Sequence, residues 1–244
     1  MGPATGAAIL LAGWLIGATG IGGVLVVPAL SQLEGLDVTR AISASALAFA
    51  FPGLAALWWL RRSTAAGVPG LLALVGGAVP GALLGASLVH RIDARWLLAG
   101  LAALALGSGW RGLRTAQTST NDGPPLALPA MGGLGLAVGL GSALTGTGGP
   151  VLLVPLLMMW RQPLARTVAA AQAIQLPVAL CASAAHWAMG PIDLRLGCVL
   201  GVILLVGSLA GQWSAQRMNV RGLQQLVCVL LLVSGSWFAW RAFQ

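Results

Sequence analysis

Charge is scarce in this chain: 7% of its 244 residues are Asp, Glu, Lys or Arg, against about 25% in a typical soluble domain. So little polar surface cannot cover a water-soluble globule, and hydrophobic residues at 58% exclude a disordered chain as well. Lysine and tyrosine are absent; 13 Arg and five acids give a net charge of +8. The arginines are scattered between apolar runs, with no basic cluster interleaved with aromatics, so nucleic acid is not an expected partner. They read as interfacial loop residues obeying the positive-inside rule. Only three cysteines occur, Cys181, Cys198 and Cys228, all inside apolar runs and without CxxC or Cys/His spacing. A disulfide scaffold and a metal centre are excluded on that ground. HExxH, GxxxxGK and a Ser/His/Asp arrangement are missing too. All five acids fall in predicted loops, which leaves no intramembrane carboxylate to carry a proton. The chemistry of an enzyme is absent, and no cofactor is expected. No basic residue precedes Arg40, so the first apolar run lacks the n-region of a cleaved signal peptide. The alternation of a membrane β-barrel is absent as well.

What is present is apolar length. Runs fall at about 4–33, 41–60, 66–89, 96–110, 126–160, 167–188, 196–213 and 222–240. A spanning helix needs about 20 such residues, so the expected class is an all-α polytopic membrane protein with the lipid bilayer as its surroundings. Trp58, Trp59, Trp96, Trp110, Trp160, Trp187, Trp237 and Trp240 stand near run ends, as interfacial aromatics do. One polar stretch interrupts the pattern and divides the chain into 1–113, a linker at 114–125, and 126–244.

The two parts repeat. At an offset of 126, Thr19-Gly20-Ile21-Gly22-Gly23 matches Thr145-Gly146-Thr147-Gly148-Gly149, and Arg40 matches Arg166. Gly81, Gly85, Arg91 and Arg95 match Gly207, Gly211, Arg217 and Arg221 at the same offset. A duplicated unit of four helical elements is a usual build of secondary transporters. The first element of each unit is about 30 residues long, or about 45 Å of helix against a hydrocarbon core of about 30 Å. Its glycines fit a helix that breaks, dips in and returns; a steeply tilted, kinked span is the alternative. With both first elements re-entrant, one side collects eight arginines and the other five, together with four of the five acids. That bias predicts inverted repeats with both termini extracytoplasmic.

The breaks are candidate substrate-binding segments: Thr19, Gly20, Gly22 and Gly23 in the first, and Thr145, Gly146, Thr147, Gly148 and Gly149 in the second. Glycine lets the backbone leave helical geometry, and the N–H groups opening the next half-helix attract anions. Pro150 fits the first position of that helix. For Gly81, Gly85, Gly207 and Gly211 the expectation is close helix packing through small residues. Gln172, Gln175, Ala179, Ser183 and His186 form one stripe, which in a spanning helix faces protein or a watery path rather than lipid. Gln172 and Gln175 read either as donors to an oxyanion or as interhelical hydrogen bonders. The first unit has Ala46 and Phe49 there instead, and Ser43 and Ser45 are expected to bond their own helix. Arg40 and Arg166 read as interfacial anchors or as guides for an entering anion. His186 is the one titratable candidate for a pathway or coupling role, against a packing role.

Through Thr19-Gly20-Ile21-Gly22-Gly23-Val24-Leu25-Val26-Val27-Pro28 and Thr145-Gly146-Thr147-Gly148-Gly149-Pro150-Val151-Leu152-Leu153-Val154-Pro155, the chain resembles the sulfite exporter TauE/SafE family, also called the toluenesulfonate uptake permease family. Many members carry a third consecutive glycine, replaced here by Val24 and Pro150. The resemblance implies transport of small sulfur-containing or organic anions such as sulfite, sulfonates or sulfoacetate. The functional expectation is a secondary carrier for a small oxyanion, with export favoured because an inside-negative potential expels anions. An anion channel of the same fold, or uptake coupled to H⁺ or Na⁺, is the alternative.

Overall fold

The computed structural model describes residues 1–62, 70–88, 94–115, 124, 126–145, 148–189 and 193–242. Among these, helices are the only regular elements. In chain order they are α1 (Pro3–Thr19), a 3-10 turn (Gly22–Leu25), α2 (Val26–Leu33), α3 (Val38–Ala48), α4 (Ala50–Arg62), α5 (Leu71–Leu88), α6 (Ala94–Thr115), α7 (Leu128–Thr145), α8 (Gly149–Met159), α9 (Leu164–Met189), α10 (Leu194–Arg217) and α11 (Val220–Ala242). Among the described residues, five stretches are long and apolar enough to cross a membrane: Arg40–Trp58, Leu71–Leu88, Arg166–Ala188, Leu194–Arg217 and Arg221–Trp240. The first of these is α3 and α4 together, interrupted at Phe49. Pro52 explains the interruption, because its ring cannot donate to the Ala48 carbonyl and crowds it.

The expected broken elements are both hairpins. Glu34, just past α2, accepts hydrogen bonds of 2.6 Å from the Gly2 N–H and the Thr5 hydroxyl at the start of α1. The chain therefore returns to where α1 began. In the second hairpin Gln162, just past α8, donates to the Pro124 carbonyl ahead of α7 at 2.8 Å. The Thr5 hydroxyl, more than any other group, holds the Glu34 carboxyl below its ordinary range, with the Gly2 N–H assisting.

Small residues set how the helices pair. A Cβ on Gly17 would strike the Ser208 carbonyl, and one on Gly211 would strike that of Trp14. The α1 and α10 backbones therefore touch, and they run in the same direction. Between α5 and α7 the same close, parallel contact joins Gly77 to Gly132, Gly81 to Leu136, and Gly85 to Leu140. Helices α6 and α11 run oppositely, with Gly109 beside Leu232 and Gly235 beside Leu106. The expectation that Gly81, Gly85, Gly207 and Gly211 serve packing is thus met; in lipid, such close approach replaces the hydrophobic drive. Val199, Val202, Val206, Leu209 and Trp213 form an exposed stripe on α10, opposite buried Leu200, Leu204 and Gly207. An apolar stripe of that length would be a liability in water and is the natural surface toward acyl chains. Exposed Trp58, Trp110, Trp160, Trp187 and Trp240 lie near helix ends.

Candidate substrate site at the second helix break

At the first break α1 ends on Gly20, whose φ of 83° is left-handed and whose N–H donates to the Ile16 carbonyl at 2.8 Å. Glycine fits there because a side chain would be strained. The Thr19 hydroxyl donates to the Leu15 carbonyl at 2.7 Å and accepts from the Ile21 N–H at 3.2 Å. Both of these bonds are local. Gly22 lies so close to α1 that a Cβ would meet the Ala12 carbonyl. Thr19, Gly20, Ile21, Gly22 and Gly23 are all buried.

At the second break Gly148 precedes α8 with φ 79° and ψ 146°, a conformation open essentially to glycine alone. Pro150 sits in the first turn of α8, where its missing N–H costs no bond. Gly146 and Thr147 lie outside the described residues, and so does the side chain of Thr145. The two breaks come together: a Cβ on Gly20 would stand 3.5 Å from the Pro150 side chain and 3.5 Å from Ala171 of α9.

One helical turn beyond Ala171, Gln175 lines a small, partly open cavity between α3, α7 and α9. Ala46, Phe49, Ser142, Gly148, Ala179 and His186 are among its walls. Along α9, Gln175 to His186 spans about 16 Å at 1.5 Å per residue. The predicted stripe does face inward: Gln172, Gln175, Ala179 and Ser183 are all buried, and His186 is partly so. Gln172 and Gln175, one turn apart, differ in their partners. The Gln172 amide donates to the Gly17 carbonyl at 2.9 Å, near the end of α1. Gln175 is 3% exposed, and its Oε1 has no hydrogen-bond partner. Ser43, Ser45 and Ser183 each donate to a carbonyl of their own helix, as expected for serines inside helices. Gly149 is buried at the start of α8, against Ile174.

Arg40 stands at the surface and pairs with Asp193 at 2.5 Å. Asp193 also caps α10 by accepting from the Leu196 N–H at 3.0 Å. That N–H first, and the Arg40 guanidinium second, hold its carboxyl below the usual range. Arg166 is exposed near the start of α9. Nothing in the residue pattern marked Ser142 as a wall residue, although it lies three positions before Thr145 and so shares its helical face. Phe49 stood out only as a departure from the Gln pattern, yet its ring lies 3.8 Å from where a Gly148 side chain would begin.

Among the described residues, five apolar spans, an exposed apolar stripe, and two helix hairpins meeting beside a cavity with a buried glutamine in its wall define a multi-pass membrane protein. The chain belongs to the sulfite exporter TauE/SafE family, whose model matches residues 5–238. It is accordingly a membrane transporter and not an enzyme. No curated protein and no solved structure matches the chain.

Proposed function

We propose that the protein is a secondary carrier of the inner membrane that moves a small sulfur oxyanion of the sulfite and sulfonate class, with export favoured. The cavity at Gly148 and Gln175 carries this reading, because it combines a helix start with a buried amide in a mostly apolar wall. The opening turn of α8 offers N–H groups and the positive end of its dipole to an anion. Above the cavity, Gly20, Pro150 and Ala171 close on one another. A cavity on one side of such a contact suits a carrier in a state facing one side better than it suits an open channel. The first break, with Thr19, Gly20, Gly22 and Gly23, acts as the wall against which the second moves, and Gln172 ties that wall to α9. His186 stands at the far end of the cavity, where it would meet the anion on its way in or out.

The halves are read as inverted repeats. The support is the pairing: α1 lies parallel to α10 and α7 parallel to α5, each first element on the third element of the other half. The two hairpins would be re-entrant, and both termini would lie on one side, extracytoplasmic by the arginine bias. Among the described residues, Glu34, Asp37 and Asp193 all lie outside the helices. Export needs no coupling ion, since each negative charge gains about 2.3 kcal/mol per 100 mV on leaving an inside-negative cell.

The test is flux by purified protein in liposomes, across sulfite, sulfate, thiosulfate and sulfonates. Sulfite loaded inside should leave faster under an inside-negative potential, and labelled sulfite should show counterflow. Absence of flux for every one of these anions would overturn the transport reading. Flux without counterflow would replace the carrier with a channel.

A further inference from the structure

Gln175 carries an acceptor with nothing to accept. Its Oε1 is buried and unpartnered, in a setting where nearly all buried polar atoms find a partner. The neighbouring donors are committed elsewhere: Gln172 to the Gly17 carbonyl, Ser45 to that of Ala41, and Ser183 to that of Ala179. Ala46, Phe49, Val178, Ala179 and Ala182 of the nearby wall offer no side-chain donor, and the Ser142 hydroxyl and His186, which also line the cavity, do not bond Oε1. The cavity edge at the start of α8 favours negative charge. A ligand that satisfies both features carries one negative charge and one hydrogen-bond donor of its own.

Resting on the carrier reading above, we infer that the site selects a monoprotonated oxyanion, hydrogensulfite in the sulfur series, and that Gln175 is the residue that recognises its proton. A fully ionised dianion presents only lone pairs to Oε1. An alkyl sulfonate has the charge but no O–H. A site built to pair a substrate hydroxyl discriminates against analogues that lack one, because its own buried group is then left unpaired. His186 is the titratable group that lines the same cavity, so its titration has to be separated from that of the substrate.

The experiment measures sulfite efflux from proteoliposomes at clamped potential across the second dissociation of sulfurous acid, with the leak of empty liposomes subtracted. Competition by methanesulfonate is measured alongside. Wild-type flux at constant total sulfite should rise as pH falls and should track the hydrogensulfite concentration. Methanesulfonate should compete at least about tenfold more weakly than hydrogensulfite, the scale of losing one hydrogen bond to a charged partner. His186→Gln should keep the pH profile. Gln175→Met, which fills the space without an acceptor, should bring the two anions to similar potency. Equal potency in the wild type, flux that follows the dianion, or a profile abolished by His186→Gln would each overturn the inference while leaving sulfite transport intact. No sulfite flux at any pH would instead strike the carrier reading itself. If Gln175→Met does not insert, the wild-type competition and pH profile still decide.

Discussion

At the first break Thr19, Gly20, Ile21, Gly22 and Gly23 are buried, and the Thr19 hydroxyl bonds backbone on both sides of the turn. At the second, Gly148 is half-buried, takes a conformation that only glycine holds comfortably, and borders a cavity. Nearly the same five letters therefore sit in two environments. The first break is a packed joint, pressed against Ala12 of its own hairpin and held by Gln172 from α9. The second faces open space beside Gln175. A glycine motif gives the backbone permission to break; the neighbours decide whether the break is filled by protein or left open.

That contrast breaks most directly at the glycines. Gly148→Leu should abolish flux, by about 100-fold or more, while the protein still inserts. The side chain would enter a φ/ψ region costing about 1–3 kcal/mol and would crowd Phe49 at the cavity edge. Gly20→Ala, in an ordinary left-handed cap, should cost only about 1–2 kcal/mol of stability and spare most transport. Equal loss of flux in both would erase the distinction between joint and site.

The two glutamines sharpen it further. Gln175→Ala should raise the KM for efflux about tenfold or more with the melting temperature unchanged, because it touches no protein partner through Oε1. Gln172→Ala should do the reverse: a stability loss of about 1 kcal/mol for the lost bond to Gly17, read as a lower melting temperature in detergent, and a near-normal KM. If Gln172→Ala raised KM as strongly, the ligand would reach α1 as well.

Thr19→Val removes two local bonds and keeps the shape. It should cost about 1–2 kcal/mol, read as a lower melting temperature, with flux preserved in the protein that remains folded. A selective loss of flux would move the first break into the binding site.

The smallest effect is expected at the surface. Arg40→Gln severs the pair with Asp193, and exposed pairs contribute little. The Asp193 carboxyl is held below its ordinary range by the Leu196 N–H and by Arg40. The pair therefore stabilises above that ordinary range and is lost as pH falls through the lowered value. Wild type and Arg40→Gln should differ slightly at neutral pH and converge in acid. Divergence on acidification would contradict that sign.

Much of this was readable from the residues themselves. Scarce charge and long apolar runs set the class, because lipid accepts a backbone only when its own helix satisfies it. Element length against bilayer thickness pointed to hairpins at both glycine breaks. The inward face of Gln172, Gln175 and Ser183 followed from helical spacing and the cost of polar groups toward lipid. The expectation for α3 and α4 as one uninterrupted run missed the stop at Phe49, although Pro52 was there to announce it.

The medium, the helices, the family and the places where helices break were all legible in the residues. These depend on local composition and spacing, which a single segment carries. Folding alone sets Gln172 to give its amide to α1 while Gln175, one turn away, keeps an open acceptor. It also decided that Ser142 and Phe49 join the cavity, and that Gly20 closes on Pro150. Hydrogen bonds and close contacts between segments more than a hundred residues apart have no local signature. They exist only once packing has chosen which surfaces meet.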